Sequence, residues 1–165
     1  MPDDTAALET LLARVRDRTP RGAGASPEAL VSDPEAASEM YRNHNARLGI
    51  DFTVSRFAFP GTEAIDPRVL RVAPGAANER HRHAHESLFV VLSGEGSVCI
   101  GDDWVPVRRG QVVFVPRWGF HQTRNDSVDE ELVILAVTDF GLTSAVLGDY
   151  DRRTRIGNED GHRER

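Results

Sequence analysis

The rhythm of apolar positions changes near residue 50. Before it, Leu8, Leu11, Leu12 and Val15 recur at helical spacing, so residues 5–18 predict one amphipathic helix. The Gly-, Ala- and Pro-rich stretch 19–27 reads as a linker. Ser32 and Asp33 ahead of Pro34 supply a start signal for a second helix, expected to run to Arg47 and to end at Gly49. Its polar residues Glu39, Arg42, Asn43, His44 and Asn45 suggest a helix packed on a surface.

From Asp51 onward the period falls to two. Residues 52–59 alternate and are rich in aromatic and β-branched side chains, which predicts a strand. Further short strands are expected over 69–73, 88–92, 97–100, 104–107, 112–115, 121–124 and 131–138. Turn signals separate them: Pro60-Gly61, Pro74-Gly75, Gly94 to Gly96, Gly101 to Asp103, Arg109-Gly110 and Asn125 to Ser127. Short strands at this spacing predict an all-β fold, an antiparallel barrel or double-sheet jelly roll with N-terminal helical segments. Val107, Val112 and Phe114 are expected in its core. The domain reading is a helical arm over 1–50, a barrel over 51–148 and a charged tail over 149–165, with one strand-like turn near 154–156.

Composition narrows the function. At 165 residues the chain is long enough for one domain with its own core. It has no apolar run of the roughly 20 residues that span a bilayer, and its acidic start does not resemble a signal peptide, so a cytoplasmic protein without a membrane partner is expected. All 20 basic residues are arginine, which excludes a lysine Schiff base and a P-loop lysine. A net charge of −6 without a basic stripe argues against nucleic acid as a partner. Cys99 is the single cysteine, so no internal disulfide can form and no thiolate cluster can hold a metal; it is expected to be a buried, inert thiol.

The chemistry concentrates in His81, His83 and His85, with His121 after a proline- and glycine-containing turn. Residues two apart on extended chain face the same way, so two imidazoles can close on one ion while a distant strand supplies the third. His121 is the candidate. His85 shares their parity and reads as a fourth ligand, a general base or a solvated loop residue. Glu86 reads as a carboxylate partner for a ligand's free ring nitrogen, or as a surface residue near Arg82. His44 and His162 are expected to face solvent.

Two spacings carry a resemblance. Gly75 is followed by five residues, then His81-Arg82-His83, with Gly94 closing the segment. Gly110, Pro116, His121 and Asn125 repeat the order of a second motif, with its inner glycine displaced by one to Gly119. Together they resemble the two motifs of the cupin superfamily, over roughly residues 69–139. Where the family carries a glutamate ligand this chain has Ser87, and Glu86 stands one residue early, which on a strand turns it to the opposite face. The pattern is similar to the three-histidine site of gentisate and salicylate dioxygenases, including the run from Pro116 to His121.

That resemblance implies a divalent metal on His81, His83 and His121, iron(II) first, with zinc, nickel, copper or manganese as alternatives. It implies an iron dioxygenase acting on a small anionic, oxygen-chelating substrate. A non-redox isomerase, lyase or hydrolase, or a binding barrel without catalysis, stands beside it. Candidate catalytic residues are His85 and Glu86. Candidate substrate contacts are Ser87, Phe89, Trp118, Arg71 and Arg117, the arginines as clamps for a carboxylate. Small cupins pair, so a homodimer is expected.

Overall fold

The computed structural model describes residues 4–21 and 24–147. Among them, helix α1 (Asp4–Arg16) is followed by strands β1 (Ser38–Asn45), β2 (Ile50–Arg56), β3 (Asp66–Val72), β4 (Ser87–Ser93), β5 (Glu95–Ile100), β6 (Asp103–Arg108), β7 (Val112–Val115), β8 (His121–Asn125) and β9 (Leu132–Thr138), then helix α2 (Phe140–Leu147). Six strands form one sheet in the order β1-β2-β3-β9-β4-β7, and three form the other in the order β6-β5-β8. Every pairing between these strands is antiparallel. This is the expected double-sheet jelly roll, with the inward faces of both sheets enclosing one core.

Alternation explains how that core is filled. Phe52 and Val54 on β2, Leu70 and Val72 on β3, Phe89 and Val91 on β4, and Val98 on β5 all point inward and are buried. Asn125 ties the end of β8 to its surroundings. Its side-chain amide donates to the carbonyls of Val72 and Glu130, while its side-chain oxygen accepts from the Ser127 N–H. Cys99 is buried as expected. No helix among the described residues is long and apolar enough to cross a membrane.

Two expectations are corrected. The segment read as a second helix is mostly strand. Pro34 does start a turn of helix, but it is a single 3-10 turn ending at Ala36. From Ser38 the chain joins the edge of β2 as β1, with Asn43 opposite Phe52 and Asn45 opposite Ile50. Tyr41 packs edge-on against Phe52, with ring centroids 5.8 Å apart. Local helix formers lose here to backbone pairing with an available edge, and His44, Asn43 and Asn45 are weak helix formers to begin with. Gly49 does take the left-handed conformation expected of a helix end, φ 64°, but it closes the 3-10 turn Ala46–Leu48 inside the β1–β2 hairpin. The tail over 149–165, with His162 and the turn near 154–156, lies outside the described residues.

The second correction concerns β7. Val112 and Phe114 are exposed rather than in the core, whereas Val107 is buried as expected. Four consecutive apolar residues carry no alternation, so the sequence offered no choice of face. The register decides it. Val113 and Val115 lie opposite Phe89 and Ser87, whose side chains face inward.

Candidate metal centre

The backbone sets the histidines before any side chain does. Residues 78–86 form no ladder strand, but they are tied to β8 at Asn78, whose N–H donates to the Thr123 carbonyl at 3.0 Å, and at His81. There the His81 N–H donates to the His121 carbonyl at 3.0 Å, and the His121 N–H donates back at 2.8 Å. Asn78 secures the same junction: its side-chain oxygen accepts from the Thr123 N–H. Two residues on, the His83 carbonyl accepts from the Trp118 N–H at 2.8 Å. That turn is tight, since Gly119 N–H donates to the Pro116 carbonyl and Trp118 has φ 59°. A bulky residue in the left-handed region costs about 1–2 kcal/mol. The strain accompanies the displacement of the motif's glycine by one position.

Three imidazoles result on one side of the barrel. The rings of His81 and His121 lie 4.2 Å apart, those of His83 and His121 4.6 Å, and those of His81 and His83 5.4 Å. One nitrogen from each lies within 4.8 Å of the others. Their other nitrogens are anchored: Nδ1 of His81 contacts the Glu79 carbonyl at 2.8 Å, Nδ1 of His83 the His85 carbonyl at 2.9 Å, and Nδ1 of His121 the Gly119 carbonyl at 3.0 Å. A carbonyl only accepts, so each Nδ1 carries the proton and donates. Each neutral ring therefore keeps its lone pair on Nε2, the state a metal ligand requires. Three neutral imidazole donors with their Nε2 lone pairs available are a set that fits a divalent ion.

The remaining candidates separate clearly. Ser87, Phe89 and His85 line the same cavity of about 60 Å³ as the three histidines. Ser87 is buried, and its hydroxyl makes no hydrogen bond among the described residues. His85 is not a solvated loop residue. It is 2% exposed, stacks on His83 at 3.4 Å and 12°, and meets Phe140 edge-on at 5.4 Å. Burial above all, then the neighbouring His83, Arg68, His121 and Arg117, lowers its pKa to about 2. A ring that weakly basic stays neutral near pH 7, and it packs face to face against His83. It lies outside the cluster of three.

Glu86 points away from the ligands, as its parity requires. Its carboxylate faces Arg117 at 3.6 Å, and the ligands are oriented by backbone carbonyls instead. Arg117 is committed elsewhere, donating to the Ala84 carbonyl at 2.7 Å and to Asp139 at 2.5 Å. Arg71 lies on the outer face, between Glu35 and Glu131, because its parity is opposite to that of Leu70. Trp118 is half-exposed and does not line the cavity. Phe120, beside the third ligand, lies beneath the guanidinium groups of Arg80 and Arg82. His44 faces solvent beside Asp51.

Two residues went unread in the sequence. Glu79 is buried, accepts from the Asn43 amide at 2.5 Å, and presents its carbonyl to His81. Arg68 lines the cavity, and its parity with Leu70 and Val72 was the signal that could have found it.

Comparison with known proteins agrees with this geometry. Residues 68–138 match the family model described as Cupin domain. Over those residues the barrel is similar to a cupin domain. Among curated relatives of this chain, 1-hydroxy-2-naphthoate 1,2-dioxygenase of Nocardioides sp. (strain KP7) is 28% identical over 119 residues, 64% of this chain and 31% of that protein. The chain thus spans less than a third of that dioxygenase. Auxin-binding protein 4 of Zea mays is 27% identical over 142 residues, 79% of this chain and 68% of that protein. Among solved structures, a cupin-2 domain from Rhodospirillum rubrum superposes with a TM-score of 0.57 at 22% identity, over 66% of this chain and 72% of that one, a likeness of fold alone.

Proposed function

We propose that this chain is a mononuclear metal enzyme, an iron(II) dioxygenase acting on a small anionic substrate that binds through oxygen. The observation that carries the reading is the convergence of His81, His83 and His121, each locked by a backbone carbonyl into the metal-binding tautomer. Among the described residues no carboxylate joins these three donors, so the site keeps the full charge of a divalent ion in a low-dielectric wall and favours an anion. Bound iron(II) would supply the redox centre through which an electron-rich chelated substrate reacts with dioxygen. The residues of the chain do the rest. Ser87 offers a buried hydroxyl at the ligand face, Phe89 closes the apolar side, and residues 78–86 and β8 hold the three rings in register. The dioxygenase relative supports the reaction class.

The auxin-binding relative, matched over more of this chain, favours a second reading, a metal-bearing barrel that binds a small acid without turnover. Metal analysis of anaerobically purified protein, with oxygen uptake measured across hydroxy- and oxo-acids, separates the two. The dioxygenase reading requires about one iron per chain and substrate-dependent oxygen consumption. Stoichiometric metal with acid binding but no consumption on any acid would transfer the assignment to the binding barrel, or to non-redox catalysis if the acid is converted.

We also infer a cytoplasmic homodimer. The outer face of the β4–β7 edge supports the dimer, since Leu88 lies opposite Phe114, Val90 lies opposite Val112, and Leu88, Val112 and Phe114 are exposed. Light scattering should give twice the 18.2 kDa chain mass for the wild type and the single mass for Phe114→Arg. A monomeric wild type rejects the pairing.

A further inference from the structure

Among the described residues, Arg68 is the cation that lines the cavity. It is held there by chemistry that leaves one edge of its guanidinium group in reserve. Its Nε and Nη2 both donate to Oδ2 of Asp66, at 3.0 and 2.6 Å. Oδ1 of the same carboxylate accepts from Arg56 Nε at 2.7 Å. Phe140 lies against the guanidinium plane, 4.8 Å from its carbon. The side chain is 11% exposed, fixed along one edge and one face. Its Nη1 makes no hydrogen bond among the described residues.

Charge reinforces the geometry. Two arginines share the single carboxylate of Asp66, so the group carries one net positive charge at the cavity wall. In register, Ser87 lies across β9 from Asp66, through Thr138, and Phe89 lies across from Arg68, through Ala136. The unpartnered Ser87 hydroxyl and the free edge of Arg68 therefore belong to one wall of a cavity whose other pole is the histidine cluster.

Size limits what can bridge the two poles. The cavity is small, about 60 Å³. A short acid fills that space, whereas a fused-ring acid would extend out of its open mouth. We propose that Arg68 is the specificity-determining residue of the pocket, clamping the carboxylate of a short-chain oxo- or hydroxy-acid whose other oxygen lies toward the histidines. The proposal rests on the metal-enzyme reading above and narrows its substrate class.

The test is calorimetric titration of the metal-loaded full chain with pyruvate, pyruvamide and salicylate, with metal content measured on each sample. The wild type should bind pyruvate at least tenfold more tightly than the uncharged pyruvamide, and more tightly than the bulkier salicylate. Arg68→Gln should retain its metal and lose pyruvate affinity at least tenfold, and Arg68→Lys should fall between. The comparison of ligands on the wild type needs no variant to fold. Arg68→Gln with full metal and undiminished pyruvate affinity overturns the clamp alone. Salicylate binding above pyruvate, or equal binding of pyruvate and pyruvamide, does the same. A wild type that takes up neither metal nor acid overturns the metal-enzyme reading and the clamp with it.

Discussion

His121→Ala is expected to empty the metal centre while leaving the barrel folded. Two donors would remain, on a segment that forms no ladder strand, and the ligand lost is the one supplied by a regular strand. Weakening a residue that merely orients a ligand costs about 10–100-fold in metal affinity, so removing the ligand itself should exceed that range. The backbone exchange between residues 81 and 121 does not use the imidazole, which is why the fold should survive. Equilibrium dialysis with metal analysis reads the first effect, and the near-ultraviolet circular dichroism of the metal-free protein reads the second. An alanine variant still holding one ion per chain would refute the three-histidine assignment.

Asp66→Ala should be strongly destabilising. Asp66 is 1% exposed and is the ionic partner of both Arg56 and Arg68. Arg68 would be left buried with an unmatched charge, a loss of about 3–5 kcal/mol when one member of a buried pair is removed. Arg56 is half-exposed and contributes little, because water screens it. The discriminating measurement is a pair of urea titrations. Adding Arg68→Met to Asp66→Ala should restore most of the lost stability, since the stranded charge goes with it. Equal destabilisation in the single and double variants would mean that the carboxylate acts through packing rather than charge.

The two predictions differ in how far the sequence reached. His121 was legible because a proline, a glycine-containing turn and a histidine at the right distance from the His81-His83 pair form a spacing pattern. Such patterns survive in one dimension. Asp66 and Arg68 were not legible as a pair. Their meaning depends on the β3 strand lying beside β9 and on α2 bringing Phe140 over the guanidinium, contacts between segments some 70 residues apart in the chain. The arginines chosen for the pocket, Arg71 and Arg117, were plausible by proximity to the motifs. Parity excluded the first, and two acceptors, on Ala84 and Asp139, engaged the second, with the Glu86 carboxylate near it.

By itself the sequence determined the barrel, most strand positions, the three histidines and the absence of a carboxylate among them. Alternation and turn residues act locally, and a one-residue offset such as Glu86 for Ser87 has a fixed consequence on extended chain. Only the tertiary structure decided that residues 38–45 are a strand, that Phe114 faces outward and His85 inward, and that Arg68 is the pocket's cation. Each of these depends on which neighbour is present to accept a hydrogen bond, cover a face or share a charge, and neighbours are assigned only when the chain has folded.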